Sequence, residues 1–252
     1  MADKWRSLHR RRFSELPFDC GNDRDPGIID SVDFRDWSAR NSTPDQRRIE
    51  RYLDRFDLHG KRLLHIGIGN SRLAKRFARR AAEIVGTSID EPELQLAANA
   101  RLSNYRGVRH NKYGGDHEAV PGRFDFVIDN NPTSACCCIR HLGQLFDFLG
   151  EKLAADGQIV TDAEGLGWVN GSIHPRWKFD FADLEATAAV AGLRTYRIDS
   201  NVIIMARRKP PRPGIIPLSI HAARERGRLI EALLGVPRRA ASRFGRWVRS
   251  TR

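Results

Sequence analysis

At 252 residues, 40% hydrophobic and 29% charged, the chain is long enough for one sizeable domain with appendages and apolar enough for a packed core, which excludes global disorder. No apolar stretch approaches the ~20 residues that span a bilayer, and the basic start MADKWRSLHRRRFSEL lacks the apolar segment of a secretory signal, so the expected compartment is the cytoplasm. The net charge of +12 is uneven: positions 207–252 carry 13 Lys/Arg against 2 Asp/Glu, which leaves the body near neutral and makes the tail basic.

Residues 1–42 are mixed and turn-rich, with three arginines at Arg10, Arg11 and Arg12 and aromatics at Trp5, Phe13, Phe18, Phe34 and Trp37. They read as an N-terminal extension and a candidate lid, with ordinary packing of the aromatics against a sheet as the plainer alternative. A helix starts at Thr43 as N-cap and Pro44 at its first position, carries Ile49, Tyr52, Leu53 and Phe56 at helical spacing, and stops at Gly60.

From there strands and helices alternate. Strands are expected at residues 62–66, 83–87, 108–113, 124–129 and 158–161, and helices at 71–82, 92–102, 136–153 and 181–191. Two β-rich pieces, 194–198 and 202–206, are joined only by Asp199, Ser200 and Asn201, so they should pair antiparallel. The alternation predicts an α/β fold, a doubly wound, mainly parallel seven-stranded sheet ending in an antiparallel hairpin. Three divisions follow: the extension 1–42, the domain 43–208, and residues 209–252, where KPPRPGIIP links to a basic amphipathic tail.

Cys20 stands alone, and Cys136, Cys137 and Cys138 are consecutive, a spacing from which all three cannot face one metal. The four cysteines are therefore expected to be buried, reduced packing residues, and no metal site is expected.

The stretch LLHIGIGNSRLAKRF, residues 63–77, joins a buried strand to a helix through two glycines. Gly67 and Gly69 would let the backbone turn tightly and approach a ligand with no Cβ in the way. A dinucleotide site would need a third glycine where Arg72 stands, and a phosphate loop would need a G-K-[ST] that is missing.

These residues resemble the first motif of the class I S-adenosylmethionine-dependent methyltransferases, a strand ending in an acid followed by G-x-G-x-G. Here it reads His65-Ile66-Gly67-Ile68-Gly69-Asn70-Ser71, with histidine at the acid and serine at the last glycine. The resemblance runs on in order over residues 43–208. Ser88 stands in the slot of the ribose-binding acid, with Asp90 two residues on. Gly115-Asp116-His117 matches the adenine-side pair, and FDFVID at 124–129 matches the fourth strand. What it implies is a Rossmann-like methyltransferase fold with S-adenosylmethionine as cofactor. His65, Gly67, Gly69, Ser71, Ser88, Asp90, Asp116 and His117 would bind it.

Methyl transfer from a sulfonium asks the protein mainly to align the acceptor, and a hydroxyl acceptor also asks for a base. Asp129, Asn130 and Asn131 leave the fourth strand at the expected crevice, and Asn131-Pro132 is similar to the start of an amine-methylating motif. In the glycine-rich stretch 161–177, with Asp162, Glu164, Trp168 and Trp177, His174 is the expected base. The near-neutral body points to a small-molecule or saccharide acceptor, methylated on oxygen or nitrogen. The basic tail suits an anionic membrane surface or nucleic acid equally, or solvent alone. A non-catalytic module docking through that tail and an RNA or protein methyltransferase stand as alternatives.

Overall fold

A computed structural model describes residues 2–21, 42–169 and 174–210. Its centre is β1 (Arg62–Ile66), flanked by β2 (Glu83–Ser88) on one side and β4 (Phe124–Asp129) on the other, all parallel. With β3 (Tyr105–Arg109), β5 (Leu153–Asp162), β6 (Arg194–Arg197) and β7 (Val202–Ala206), the seven strands lie in the order β3-β2-β1-β4-β5-β7-β6. The first five run parallel, while β7 lies antiparallel to both β5 and β6.

Strands β1, β2, β4 and β7 are buried over nearly their whole length because both faces of the sheet are covered. Side chains alternate between two hydrophobic clusters, as the pleat requires. Leu64, Val127, Ile203 and Met205 enter one, and Leu63, Phe126, Ile128 and Ile204 enter the other.

The first cluster holds aromatic and aliphatic residues of α1 (Ala2–Arg12), α5 (Ile139–Lys152) and α7 (Phe181–Val190). The second is covered by α2 (Pro44–Leu53) and α3 (Arg72–Phe77), through Ile49, Tyr52, Leu53, Leu73 and Phe77. The remaining helices are α4 (Glu91–Asn99), packed on β2 and β3, and the short α6 (Ala163–Leu166) after β5. No helix among the described residues is long and apolar enough to cross a membrane.

Several elements differ from the sequence expectation. The third strand is Tyr105–Arg109 rather than 108–113. It is a half-exposed edge in which Gly107 lets α4 close in, since a Cβ there would meet Ala97 Cβ at 3.0 Å. Helix α5 begins at Ile139 rather than Cys136, because Cys138 is extended (φ −158°, ψ 166°) and serves as its N-cap.

The N-terminal segment is not merely turn-rich. It forms α1, whose Trp5 and Leu8 are buried, and it is followed by buried Phe13 and Leu16. Phe13 stacks on Phe179 with ring centroids 5.0 Å apart, and Arg12 and Arg176 both pair with Asp183 at the start of α7. Trp37 and, beyond Pro210, the basic tail lie outside the described residues.

Candidate active site

A cleft of about 590 Å³ opens at the carboxyl end of β1. In open α/β sheets ligands bind at this end, where strand order reverses on either side of the first strand. The chain leaves β1 through a turn in which Gly67 (φ 72°), Gly69 (φ 51°) and Ser71 (φ 58°) are left-handed. Gly67 N–H donates to Thr87 O of β2 at 2.8 Å, which ties the turn to the neighbouring strand. Both glycines line the cleft, and a Cβ on either would meet no atom within 4 Å. The backbone there is bare toward open space.

Ser71 belongs to the turn as expected but does not line the cleft. Its hydroxyl is fully buried and bonds Tyr105 Oη at 2.8 Å, so it braces the turn from behind. His65 lines the cleft at the end of β1 with only 5% of its surface exposed. Burial pulls its pKa down to about 4, so the imidazole is neutral at physiological pH.

At the end of β2 the expected pair, Ser88 and Asp90, is occupied internally. Ser88 Oγ donates to Glu93 Oε2 at 2.7 Å and accepts from Asp90 N–H at 3.0 Å. Asp90 is the N-cap of α4, accepting from Glu93 N–H at 3.1 Å. Glu93 is the residue that faces the cleft. Burial raises its pKa, against hydrogen bonds from Ser88 and the Gly69 backbone that favour the ionised form. Glu93 thus brings a carboxylate to the cleft from the first turn of α4, five residues after Ser88.

The end of β4 divides likewise. Asn130 and Asn131 line the cleft, whereas Asp129 is buried and turned away. Both of its oxygens accept from Lys112 Nζ at 3.0 Å, and Lys112 also donates to Asn131 O at 2.8 Å. A buried carboxylate needs such a partner, and the lysine in the loop after β3 provides it. Asn130 Nδ2 donates to Asp45 Oδ2 at 3.1 Å, and its own Oδ1 is buried without a hydrogen-bond partner.

The rest of the wall comes from two places. Residues 42–46 at the start of α2 contribute Asp45, and α6 with the residues after it contributes Glu164, Gly165 and Trp168. Gly165 is needed because a Cβ would run into the Asn130 carbonyl. Arg48 holds α2 against α6 by pairing with Asp162 at 2.7 Å and Glu164 at 2.6 Å. Trp168 is half exposed and is the one exposed large hydrophobic among the described residues.

Seven expected site residues are not in the cleft lining: besides Ser71, Ser88, Asp90 and Asp129, they are Asp116, His117 and His174. Asp116 is exposed, and its carboxylate accepts from Ala119 N–H at 3.3 Å. His117 pairs with Glu151 near the end of α5, 2.8 Å away, and its ring meets Phe148 edge-on. The loop carries them there because β3 ends at Arg109, earlier than expected, and residues 110–113 turn inward. His174 is exposed and caps a 3₁₀ turn, Pro175–Trp177, by accepting Arg176 N–H at 3.2 Å.

The cysteines also depart from expectation. Cys136 is buried in the core, but Cys20, Cys137 and Cys138 converge on His141 Nδ1.

No protein-family model matches the sequence, and no curated protein does. Solved structures do match. An S-adenosylmethionine-bound amino pentose methyltransferase from Micromonospora echinaspora superimposes with a TM-score of 0.52 at 15% identity, over 67% of this chain and 93% of that one. The N-methyltransferase NodS from Bradyrhizobium japonicum gives a TM-score of 0.50 at 13% identity, over 68% and 99%. DesVI from Streptomyces venezuelae gives 0.50 at 15% identity, over 65% and 91%. The chain has the fold of these methyltransferases.

Proposed function

We propose that the chain is an S-adenosylmethionine-dependent methyltransferase acting on an oxygen or nitrogen of a small molecule or saccharide. The observation that carries this is Glu93, a partly buried carboxylate facing the cleft beside two bare left-handed glycines. An acid next to such a turn is what the ribose hydroxyls of the cofactor need, and here it reaches the cleft from α4 rather than from the end of β2. The residues fit the group in two further ways. An added Cβ at Gly67 or Gly69 would stand in the open space a ligand would use, and Asn130 Oδ1 is a buried acceptor awaiting a donor.

When bound, the cofactor supplies an electrophilic methyl on a sulfonium. Glu93 would accept from the two ribose hydroxyls. His65, neutral, would offer the methionine end one donor and one acceptor where a carboxylate is usual. Asn130, Asn131 and the exposed face of Trp168 would orient the acceptor. Asp45 and Glu164 are carboxylates in the same cleft and would take the proton that a hydroxyl or ammonium must lose. The likeness in fold to an amino pentose methyltransferase and to an N-methyltransferase supports an acceptor of sugar or small-amine type.

The test is calorimetric titration with S-adenosylmethionine and S-adenosylhomocysteine. Wild type should bind both. Gly67→Arg should abolish binding, since it forces a long side chain into the cleft from a left-handed backbone. Glu93→Gln should weaken binding about tenfold, the scale of one charge-assisted hydrogen bond. Absence of binding by folded wild-type protein would overturn the reading.

A further inference from the structure

We propose that Cys20, Cys137, Cys138 and His141 bind one structural zinc ion. Their ligand atoms, three Sγ and one ring nitrogen, all lie within 4.8 Å of one another. His141 Nδ1 is 3.1 Å from Cys137 Sγ, 3.2 Å from Cys138 Sγ and 3.5 Å from Cys20 Sγ, and the sulfurs of Cys20 and Cys137 are 3.6 Å apart. A tetrahedral zinc ion with sulfur at ~2.3 Å and nitrogen at ~2.05 Å separates its ligands by roughly 3.6–3.8 Å. The four separations given are within about half an ångström of that shape, and the remaining two pairs lie within 4.8 Å. Three thiolates and one imidazole are also a common donor set for structural zinc.

Hydrogen bonding alone does not account for the convergence. A neutral imidazole presents one lone pair, and three thiols point at the same nitrogen. At most one of them can be satisfied there. A cation at the centre satisfies all four ligands, with each thiol giving up its proton as the metal binds.

The local structure is built to bring these residues together. Cys138 is the extended N-cap of α5, so it sits beside His141 one turn into the helix, with Cys137 directly before it. Cys20 arrives from the far end of the sequence. Ile139 N–H and Arg140 N–H, which have no partner within the helix, donate to Pro17 O at 3.0 Å and Phe18 O at 2.8 Å. Asp19 pairs with Arg140 at 3.0 Å and accepts Gly21 N–H at 2.9 Å, which folds the chain around Cys20. Cys138 and His141 are buried, while Cys20 is exposed and gives the ion a path in. Cys136, the third of the consecutive cysteines, turns into the core and is not a ligand. The metal would staple the segment after α1 to the start of α5 across 117 residues of sequence, and cross-links that close long loops constrain the unfolded chain most.

The full-length chain, purified reduced and passed through gel filtration, should carry one zinc per chain by elemental analysis. Replacing the zinc with cobalt should give the intense visible d–d bands and sulfur-to-cobalt charge transfer of a tetrahedral thiolate site. Cys20→Ser and His141→Gln should lose the stoichiometric metal, and Cys136→Ser should keep it. Should those variants fail to fold, the wild-type cobalt spectrum decides. Folded wild-type protein with metal far below stoichiometry and no such bands, or with a Cys20–Cys137 disulfide shown by intact mass, overturns the proposal.

Discussion

In the cleft beside β1, an added Cβ at Gly67 or Gly69 would meet no atom within 4 Å, whereas at Gly143 in α5 it would meet the Trp5 indole at 2.9 Å. Both regions use glycine, for opposite ends. Around the cleft the missing side chains leave volume bounded by His65, Glu93, Asp45 and Asn130, polar groups with hydrogen-bonding capacity in reserve. Under α1 the missing side chain is a socket filled by another part of the same chain, and the surroundings, Phe146 among them, are apolar. A near-neutral body can therefore hold an open polar cleft and a packed apolar seam without either imposing its chemistry on the other.

The largest expected effect breaks the seam alone. Trp5 is 4% exposed, fills the space above Gly143, and donates from Nε1 to Asp147 Oδ2 at 3.3 Å. Trp5→Ala should lower the unfolding free energy by about 3–5 kcal/mol, read by denaturant titration. Cofactor affinity of the folded fraction should be unchanged. A variant of unaltered stability and weakened affinity would show that the two regions are not separate.

A smaller effect sharpens the comparison through pH. His65 at the cleft and His110, stacked on Phe148 at 4.4 Å, are both held neutral, with pKa pulled down to about 4. Burial is the cause for His65. For His110 burial comes first and the nearby His117 adds to it. In the unfolded chain each would titrate near 6.5, the ordinary histidine value. Between the two values the unfolded state holds more protons, so the stability each contributes is full above about pH 6.5 and is lost as pH falls toward 4. One pKa unit corresponds to about 1.4 kcal/mol. His65→Gln should remove roughly half of the histidine-dependent slope in that window and leave the part due to His110. An unaltered slope would mean that His65 is not a buried neutral group.

How much of this the sequence discloses depends on whether the signal is local. β7 is found at its exact residues because VIIMA is a continuous apolar run bounded by polar residues, and β1 and β4 are legible for the same reason. β3 is displaced because YRGVR on a half-exposed edge has neither strict alternation nor an apolar run. α1 is hidden by its arginines, since among its described side chains only Trp5 and Leu8 are buried.

At the site, the glycine turn, His65, Asn130 and Asn131 are legible because they sit next to strands that are themselves legible. Glu93 is not, because its role depends on α4 folding back over Ser88; the available signal was a serine at the strand end with a glutamate five residues on. Asp129 ends β4 as expected but does not face the cleft, and no local pattern announces that Lys112, 17 residues earlier, will claim it. The cysteine cluster is the extreme case, because Cys20 and Cys137 are 117 residues apart in the sequence.

The smallest expected effect concerns the residue with the strongest sequence argument for catalysis. His174 lies in a glycine-rich stretch, but its imidazole is exposed, caps Arg176 N–H at 3.2 Å, and does not line the cleft. A general base must come within hydrogen-bond reach of the proton it removes, directly or through one water. Asp45 and Glu164 line the cleft and His174 does not. His174→Ala should therefore cost no more than about 1 kcal/mol of stability, the scale of a lost cap, and leave kcat within twofold of wild type. Glu164→Gln and Asp45→Asn, assayed beside it with the same acceptor, locate the base. A hundredfold loss in the His174 variant, with both carboxylate variants active, would return the proton to the histidine and detach the chemistry from the wall that α2 and α6 build.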